Sequence, residues 1–438
     1  MGELARQRYL QRHIEPGLPH SPQPGTPWRN VLVIPAYRED PLLARRLRDL
    51  PGGPGRALVI LVLNRPDSDA DREANAGLRA AIAGLPTGSC PGTRELNRNS
   101  DLYLWDLDAK SGALPAARGV GLARKIGCDI AFRWMCEGAI GGRLICSTDA
   151  DAVLPPDYFR KLEAAPADAV AATYPFWHGP GGDPSCNLAT ALYELRLHHY
   201  ALGLEYAGSP CNRHTLGSCL AVSFDGYAGV RGFPQRSGGE DFYLLNKLAK
   251  TGPVARLGGD CILLQSRQSR RVPFGTGPAV TRIMDSPTPQ AAALFYHPAC
   301  FVALRCLLAA VPSLASAQMP AGEAGLAGQL RSQGLGPELS LASARILQAM
   351  GIEATLAHCR RQGKAPGQFM RQFLQWFDGF RTLKFIHGLR AAGWPDRSLA
   401  ALGELQPNFW PTRRAVKIDD LRRAVLQHWG WTAPAPGA

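Results

Sequence analysis

The sequence predicts an α/β fold, with a mostly parallel sheet flanked by helices and an α-helical region after it. Residues 31–35 form a continuous apolar run of strand length, and residues 57–63 form a second one. Between them, Pro41 opens a segment in which Leu43, Leu47 and Leu50 recur at helical spacing. Strand, helix and strand in this order make a βαβ unit, and continuous apolar strands are typical of a sheet covered on both faces.

Polar side chains follow both predicted strands. Tyr37 and Glu39 come after the first strand, and Asn64 comes directly after the second. Ligands of parallel sheets bind at the carboxyl ends of the strands. We therefore expect Tyr37, Glu39 and Asn64 to contact the base or ribose of a nucleotide.

The composition indicates a globular protein with an anionic partner. The chain has 438 residues, 45% of them hydrophobic, and a formal charge of +13 from 49 Lys and Arg against 36 Asp and Glu. This excess favours a nucleotide, a phosphate-bearing acceptor or an anionic lipid surface. The arginines are scattered, and the sequence carries no zinc finger or aromatic-basic repeat, so we expect no nucleic-acid partner.

Cysteine usage and hydropathy suggest a cytoplasmic protein. The 11 cysteines are odd in number and form no C-x-x-C pair, which argues against a disulfide framework and a zinc site. We find no signal-peptide pattern at the N-terminus. The most apolar stretch, residues 294–317, is interrupted by His297, Pro298, Arg305 and Pro312, which argues against a membrane span. Peripheral contact with the inner membrane face stays open.

Three segments are expected along the chain. Residues 1–29 are rich in Pro and Gly and are predicted to be an arm, and residues 30–285 carry the α/β pattern. In residues 286–438, aromatic and apolar side chains recur at helical spacing, as at Phe369, Phe373 and Phe377. That aromatic stripe is typical of a packed core, with a membrane or partner surface as the alternative.

A basic helix is predicted over residues 116–131. Leu122, Ile126 and Ile130 share one helix face, while Arg118 and Arg124 lie near the helix start. Backbone N–H groups at a helix N-terminus favour anions, so these arginines are candidates for phosphate binding. The alternative is an ordinary solvated basic face.

Asp149 and Asp151 end an apolar run that begins at residue 144, and Pro155 and Pro156 follow to stop the strand and start a helix at 157. In an extended segment both carboxylates would lie on one face. Two hard oxygen ligands suit Mg²⁺ or Mn²⁺ bound to a substrate diphosphate. Asp-x-Asp is a common pattern, and it also occurs at 67–69, 69–71 and 106–108.

A second acidic pair, Glu240 and Asp241, follows two glycines at the start of a predicted helix. Acidic residues in a first turn commonly stabilise the helix dipole. The functional alternative is a carboxylate that takes a proton from an acceptor hydroxyl.

Together these segments resemble family 2 glycosyltransferases of the GT-A fold over about residues 30–285. The resemblance lies in five motifs. VIPAYRE at 33–39, with Pro35, matches the first strand, which contacts the nucleotide, and RGVG at 118–121 matches a segment near the diphosphate. DAD at 149–151 matches the metal motif, GFP at 232–234 the acceptor-side loop, and GED at 239–241 the catalytic pair. It implies an inverting displacement at the anomeric carbon of the sugar. It also implies that Asp241 is the general base, with Glu240 beside it, and that a metal neutralises the departing nucleoside diphosphate.

One feature departs from the family pattern. Many GT-A enzymes have a later His as a metal ligand, whereas residues 265–277 here contain Arg267, Arg270 and Arg271 among glycines. These arginines, with Arg271 as the main candidate, are expected to bind the diphosphate or an acidic acceptor; a solvated loop is the alternative. His198, His199 and His214 are expected to be structural.

The sequence thus predicts a nucleotide-sugar-dependent glycosyltransferase that uses Mn²⁺ or Mg²⁺ and transfers a sugar to a hydroxyl of a glycan, a lipid-linked acceptor or a small molecule. Two alternatives are a sugar-nucleotidyltransferase, which would release pyrophosphate, and a non-catalytic protein that binds nucleotide sugars or glycans. The latter has no need of a second carboxylate pair. The sequence does not identify the base, the sugar or the acceptor, because these depend on pocket shape.

Overall fold

The computed structural model describes residues 2–268, 275–315, 322–362, 366–411 and 417–434. The chain forms two compact units. Unit 1 comprises residues 1–190, 215–281 and 426–438, and unit 2 comprises residues 191–214 and 282–425. The expected segment boundary at 286 lies near residue 282, where the chain enters unit 2 for the second time.

Unit 1 is built on an eight-stranded, mainly parallel sheet, which confirms the predicted α/β fold. The strand order is β3-β4-β2-β1-β5-β8-β6-β9, in which β1 runs parallel to β2 and β5, and β8 runs antiparallel to β5 and β6. The strands are β1 Asn30–Ala36, β2 Ala57–Leu63, β3 Thr93–Asn97, β4 Ser100–Asp106, β5 Leu144–Ser147, β6 Ala171–Thr173, β7 Phe176–Gly179, β8 Leu220–Ser223, β9 Val254–Arg256, β10 Gly259–Asp260, β11 Ile262–Gln265 and β12 Trp431–Thr432.

Helices flank the sheet and make up most of unit 2, as the sequence predicts for the C-terminal region. Three short 3₁₀ helices span Leu47–Asp49, Arg160–Ala164 and Pro289–Ala291. The α-helices are α1 Gly2–Arg12, α2 Leu42–Arg46, α3 Ala76–Ala83, α4 Leu107–Ser111, α5 Gly119–Cys136, α6 Pro184–Tyr206, α7 Phe224–Gly229, α8 Glu240–Leu248, α9 Thr276–Met284, α10 Pro298–Leu314, α11 Gly322–Ser332, α12 Pro337–Ala349, α13 Ile352–Gln362, α14 Pro366–Trp376, α15 Gly379–Ala391, α16 Leu399–Leu402 and α17 Ile418–His428.

The central strands and α5 form the core of unit 1. Every residue of β1 and of β2 is buried, which explains their unbroken apolar sequence. Helix α5 approaches these strands closely at Gly127, where an added Cβ would lie 2.4 Å from Val33 Cγ1 and 2.9 Å from Val62 Cγ2. This close approach fixes the position of Arg124, which lies three residues before Gly127 on α5.

The N-terminal residues differ from the arm that we expect, because residues 2–12 form α1. The carboxylate of Asp129 on α5 is fully buried and binds this segment with both oxygens. Its Oδ1 accepts hydrogen bonds from the hydroxyls of Tyr9 at 2.6 Å and Tyr227 at 2.7 Å, and its Oδ2 accepts from Lys125 Nζ at 2.6 Å and from the backbone N–H of Glu15 at 2.8 Å. Lys125 is therefore a buried structural cation.

Unit 2 has its own core of apolar and aromatic side chains. Phe369, Phe373 and Phe377, from the predicted aromatic stripe, are buried in it. Glu194 of α6 and Arg422 of α17 form a buried bidentate ion pair, with N···O distances of 2.7 and 3.0 Å. Within the described part of the chain, no helix is long and apolar enough to cross a membrane.

Candidate active site at the carboxyl edge of the sheet

The candidate residues gather where the parallel strands end. Strands β1, β2 and β5 run in the same direction, so their carboxyl ends at Ala36, Leu63 and Ser147 share one edge of the sheet. The DAD segment follows β5 at this edge. Helix α5 packs against the same strands and brings its buried arginine to the end of β5.

Arg124 connects several residues of the site. Its buried guanidinium donates from Nε to Glu240 Oε1 at 3.1 Å and from Nη1 to Ser147 Oγ at 2.6 Å, and its Nη2 forms an ion pair with Asp149 Oδ1. Burial disfavours its charge, but Asp149 and Glu240 outweigh burial and raise the pKa of Arg124 above its ordinary value. Arg124 therefore stays cationic and joins the end of β5 to the start of α8.

Asp149 and Asp151 lie beyond the end of β5, so the strand does not extend to the two aspartates as we expect from the sequence. Strand β5 ends at Ser147, and residues 149–152 form a turn in which Ala152 N–H donates to Asp149 O at 3.2 Å. The expected helix at 157 is also replaced by turns and a short 3₁₀ helix. The turn arises because Val153 pairs with Leu263 of β11, which redirects the chain after β5.

Each of the two aspartates forms an ion pair with an arginine. Asp149 Oδ1 pairs with Arg124, and Asp151 Oδ2 accepts from Arg267 Nε at 2.6 Å. Within the described residues, the second oxygens, Asp149 Oδ2 and Asp151 Oδ1, form no hydrogen bond or ion pair. Those two oxygens are hard ligands of the kind Mg²⁺ and Mn²⁺ use together with water and substrate phosphate, so the donor set fits such an ion.

The protein supplies few ligands for this ion. Among the described residues, no group of three His, Cys, Asp or Glu side chains is arranged to hold a metal. The remaining coordination positions would therefore fall to water and to the substrate.

Glu240 and Asp241 occupy the first turn of α8. The helix begins after Gly239, whose φ of +67° lies in the left-handed region that glycine adopts readily. Glu240 is buried against Arg124, whereas Asp241 keeps some exposed surface. The backbone N–H of Gly217 donates to Asp241 Oδ2 at 2.8 Å, and that of Phe242 donates to Oδ1 at 2.7 Å. The Asp241 carboxylate is thus held in one orientation.

Both acidic side chains have raised pKa values. Burial is the main cause at Glu240, where Arg124 opposes it. At Asp241, burial comes first and the neighbouring Glu240 carboxylate second, and together they raise the pKa of Asp241 to about 7. A carboxylate with this pKa can accept a proton near neutral pH.

The residues expected to contact the nucleotide have differing surroundings. Pro35 is buried within β1, and the buried amide of Asn64 donates to Ala36 O at 3.0 Å, which gives Asn64 a role in joining β2 to β1. Tyr37 Oη donates to Asp69 Oδ2 at 2.6 Å, and burial raises the pKa of Tyr37. Glu39 lies partly exposed just beyond β1.

Among the other arginines expected to bind phosphate, the structure describes Arg118, whose partners differ from those of Arg124. Arg118, at the start of α5, lies 3.7 Å from Glu15 Oε2 and hydrogen-bonds to Gln235. Arg271 lies outside the described residues. Burial lowers the pKa of His199 to about 3, so this histidine is neutral, in keeping with the structural role expected for it.

Three contacts of the site residues were not predicted from the sequence. The carboxylate of Asp69 binds Tyr37 and, at 2.8 Å, Arg38 Nε; the Arg46 guanidinium reaches Ala150 O at 3.4 Å; and Arg267 pairs with Asp151. Asp69 belongs to a common Asp-x-Asp pattern, and Arg46 belongs to a helix without a recognisable motif. The sequence around them therefore did not indicate a role in the site. Arg267 was visible only as one of several arginines in its loop.

No family model and no curated protein matches the chain. Among solved structures, the chain is similar to S. aureus TarS 1–349, with 10% identity, 81% of this chain and 91% of that chain covered, and a TM-score of 0.33. It is likewise similar to TarS 1–349 in complex with UDP-GlcNAc, with 9% identity, the same coverage and a TM-score of 0.35. For S. aureus TarS the identity is 11%, the coverage 77% and 56%, and the TM-score 0.34. These values indicate a weak likeness.

Proposed function

We propose that this protein is a glycosyltransferase that moves a sugar from a nucleotide-diphosphate donor to an acceptor hydroxyl. The observation that carries the proposal is the continuous network from Asp149 through Arg124 to Glu240, with Asp241 beside it. The network ends at Glu240, and the next residue, Asp241, has a pKa of about 7, which suits a general base.

In the proposed reaction, the acceptor oxygen attacks the anomeric carbon of the donor sugar. The hydroxyl proton passes to an Asp241 oxygen, the new carbon–oxygen bond forms, and the bond from the anomeric carbon to the diphosphate breaks with its electron pair on the leaving phosphate oxygen. Attack from the face opposite the leaving group inverts the anomeric configuration. The two backbone N–H groups that bind Asp241 hold the base in place for this step.

Glu240 and Arg124 position the reacting groups. Glu240 is buried and forms an ion pair with Arg124, so its carboxylate is a poor proton acceptor for a substrate hydroxyl. Its role is to orient Arg124, which in turn fixes Asp149. Asp149 and Asp151 would hold Mn²⁺ or Mg²⁺, and the bound ion would neutralise charge on the departing nucleoside diphosphate.

The two alternative functions make different predictions. A sugar-nucleotidyltransferase would release pyrophosphate, and a binding protein would bind donors without turnover. Asp241 supports transfer, because a carboxylate with a raised pKa can deprotonate an acceptor hydroxyl near neutral pH.

The test is a screen of UDP-, GDP- and dTDP-sugars with Mn²⁺, read as a thermal shift and as release of nucleoside diphosphate. We expect at least one donor to stabilise the protein and to be turned over. Asp151→Ala should abolish the metal-dependent turnover, and EDTA should do the same to the wild type. Asp49→Asn, which changes an exposed carboxylate on a 3₁₀ helix, is the matched control. Full activity in EDTA would remove the metal from the proposal, and pyrophosphate release would replace transfer by nucleotidyl transfer.

A further inference from the structure

The two arginine–aspartate pairs of the site differ in how firmly they are held. The Arg124 side chain is 4% exposed and has three further protein contacts besides Asp149, at Glu240, Ser147 and Thr148. The side chains of Arg267 and Asp151 are 34% and 16% exposed, and Asp151 is the one partner of Arg267 recorded among the described residues. Arg124 is therefore fixed, although its partner Asp149 is 43% exposed, whereas Arg267 can leave Asp151 and turn into solvent.

The main chain is fixed after Asp151 and before Arg267. Val153 and Leu263 exchange backbone hydrogen bonds of 2.8 and 2.9 Å, which joins the segment after Asp151 to β11. Ser266, directly before Arg267, binds Gly179 O through its backbone N–H at 3.2 Å and its hydroxyl at 2.6 Å. Arg267 can therefore leave Asp151 by rotation of its own side chain, without movement of the strand.

We propose that Arg267 is an exchangeable counter-ion of Asp151 that moves to the donor diphosphate when a divalent cation binds. This inference rests on the proposed function and deepens it by assigning a residue to the diphosphate. A cation at the free oxygen of Asp151 neutralises the charge that holds Arg267 and repels its guanidinium, so binding of the ion favours release of Arg267. The released guanidinium then lies beside the phosphate oxygens, which it can bind with two parallel N–H donors.

Charge balance supports this exchange. Without a ligand, Arg267 compensates the Asp151 carboxylate; with metal and diphosphate bound, the cation takes over that role and the diphosphate adds new negative charge. Moving one guanidinium from the carboxylate to the phosphate keeps each anion paired in both states. The consequence is positive coupling, since cation and diphosphate each favour the conformation that binds the other.

The test measures the two ligands separately, without turnover. Mn²⁺ binding is followed by electron paramagnetic resonance, and inorganic pyrophosphate binding is followed by calorimetry at saturating Mn²⁺. In Arg267→Gln we expect Mn²⁺ alone to bind about fivefold more tightly, because its competitor is gone, and pyrophosphate to bind about tenfold more weakly. Arg267→Lys keeps the charge without the planar fork and should fall between Arg267→Gln and the wild type.

Two variants complete the design. Arg45→Gln removes an exposed cation of α2 and should change neither affinity. Asp151→Asn should weaken Mn²⁺ binding, which verifies that the ion uses this carboxylate. An Arg267→Gln protein that binds Mn²⁺ no more tightly than the wild type overturns the exchange while leaving the proposed function in place. Wild-type Mn²⁺ binding that is absent, or indifferent to Asp151→Asn, overturns the exchange and removes the metal from the proposed function.

Discussion

Replacing Asp241 by Asn tests the proposed base through protein stability as well as activity. Surrounding protein and the Glu240 charge raise the pKa of Asp241 from 3.8 to about 7. Between these two pH values the native state binds more protons at this site than the unfolded state does. The wild-type protein therefore loses stability as the pH rises through this range, and Asn, which does not titrate, removes that loss.

The size of this effect follows from the two pKa values. One pKa unit corresponds to about 1.4 kcal/mol, so from pH 5 to pH 8 the free energy of unfolding of Asp241→Asn should rise by roughly 2–3 kcal/mol relative to the wild type. Asn also places an NH₂ group against one of the two backbone N–H donors, which costs about 1–3 kcal/mol at every pH. That cost lowers the stability of Asp241→Asn relative to the wild type by the same amount at every pH. It does not change how the stability difference depends on pH.

Urea unfolding at pH 5, 6, 7 and 8 measures this slope, and Asp49→Asn serves as the control that should show none. Donor turnover measured alongside should fall by about 10²–10⁴-fold in Asp241→Asn, while donor binding persists. Wild-type kcat/KM should rise with pH up to about 7 and then level off. A stability difference that is constant from pH 5 to pH 8 would refute the raised pKa, and an active Asn variant would refute the role as base.

Three further substitutions probe the framework of the site and unit 2. Gly121→Ala should destabilise the protein by about 1–3 kcal/mol, because its Cβ would lie 2.5–2.7 Å from backbone atoms of residues 234–236. Arg124→Gln should destabilise it by about 3–5 kcal/mol by leaving Glu240 buried without its counter-ion, and adding Glu240→Gln should recover part of the loss. Arg422→Met should have an effect of similar size in unit 2, since it removes the arginine that binds both oxygens of the buried Glu194 carboxylate. Urea unfolding measures all three.

Matched controls separate these mechanisms from general sensitivity. Gly141→Ala places a Cβ in open space, so its free energy of unfolding should stay within about 0.5 kcal/mol of the wild type. If Gly141→Ala and Gly121→Ala behave alike, the close approach at α5 is not the cause. If the Arg124→Gln protein gains nothing from Glu240→Gln, the stranded charge is not the source of its instability.

The strands were predictable because their burial leaves a local signature. Residues 57–63 were predicted as a strand, and β2 has these bounds, since burial on both faces allows only apolar side chains throughout. The position of Glu240 and Asp241 in the first turn of a helix was equally readable from the two glycines before them. In both cases the cause lies in neighbouring residues.

The side-chain pairing in the site was not predictable, because its causes are distant in sequence. The turn at Asp149 depends on Val153 meeting Leu263, and Asp151 meets a partner 116 positions away. The amide of Asn64, which we expect at a nucleotide, also donates to Ala36 of β1, and this bond depends on how β1 and β2 end side by side. A sequence pattern identifies polar residues at a strand end but not the atoms they bind.

The N-terminal segment is bound to the rest of unit 1 by hydrogen bonds and an ion pair. Residues 2–15 meet the rest of unit 1 through Asp129, whose four donors include Tyr9 and the backbone of Glu15, and through a pair between Arg6 and Asp225. Such a segment acts as a peptide ligand that the chain supplies to itself, bound at the high local concentration that a short tether provides. A protein that begins after residue 15 should accordingly be rescued by the missing peptide added in trans, and amide hydrogen exchange in α5 should slow as the peptide binds.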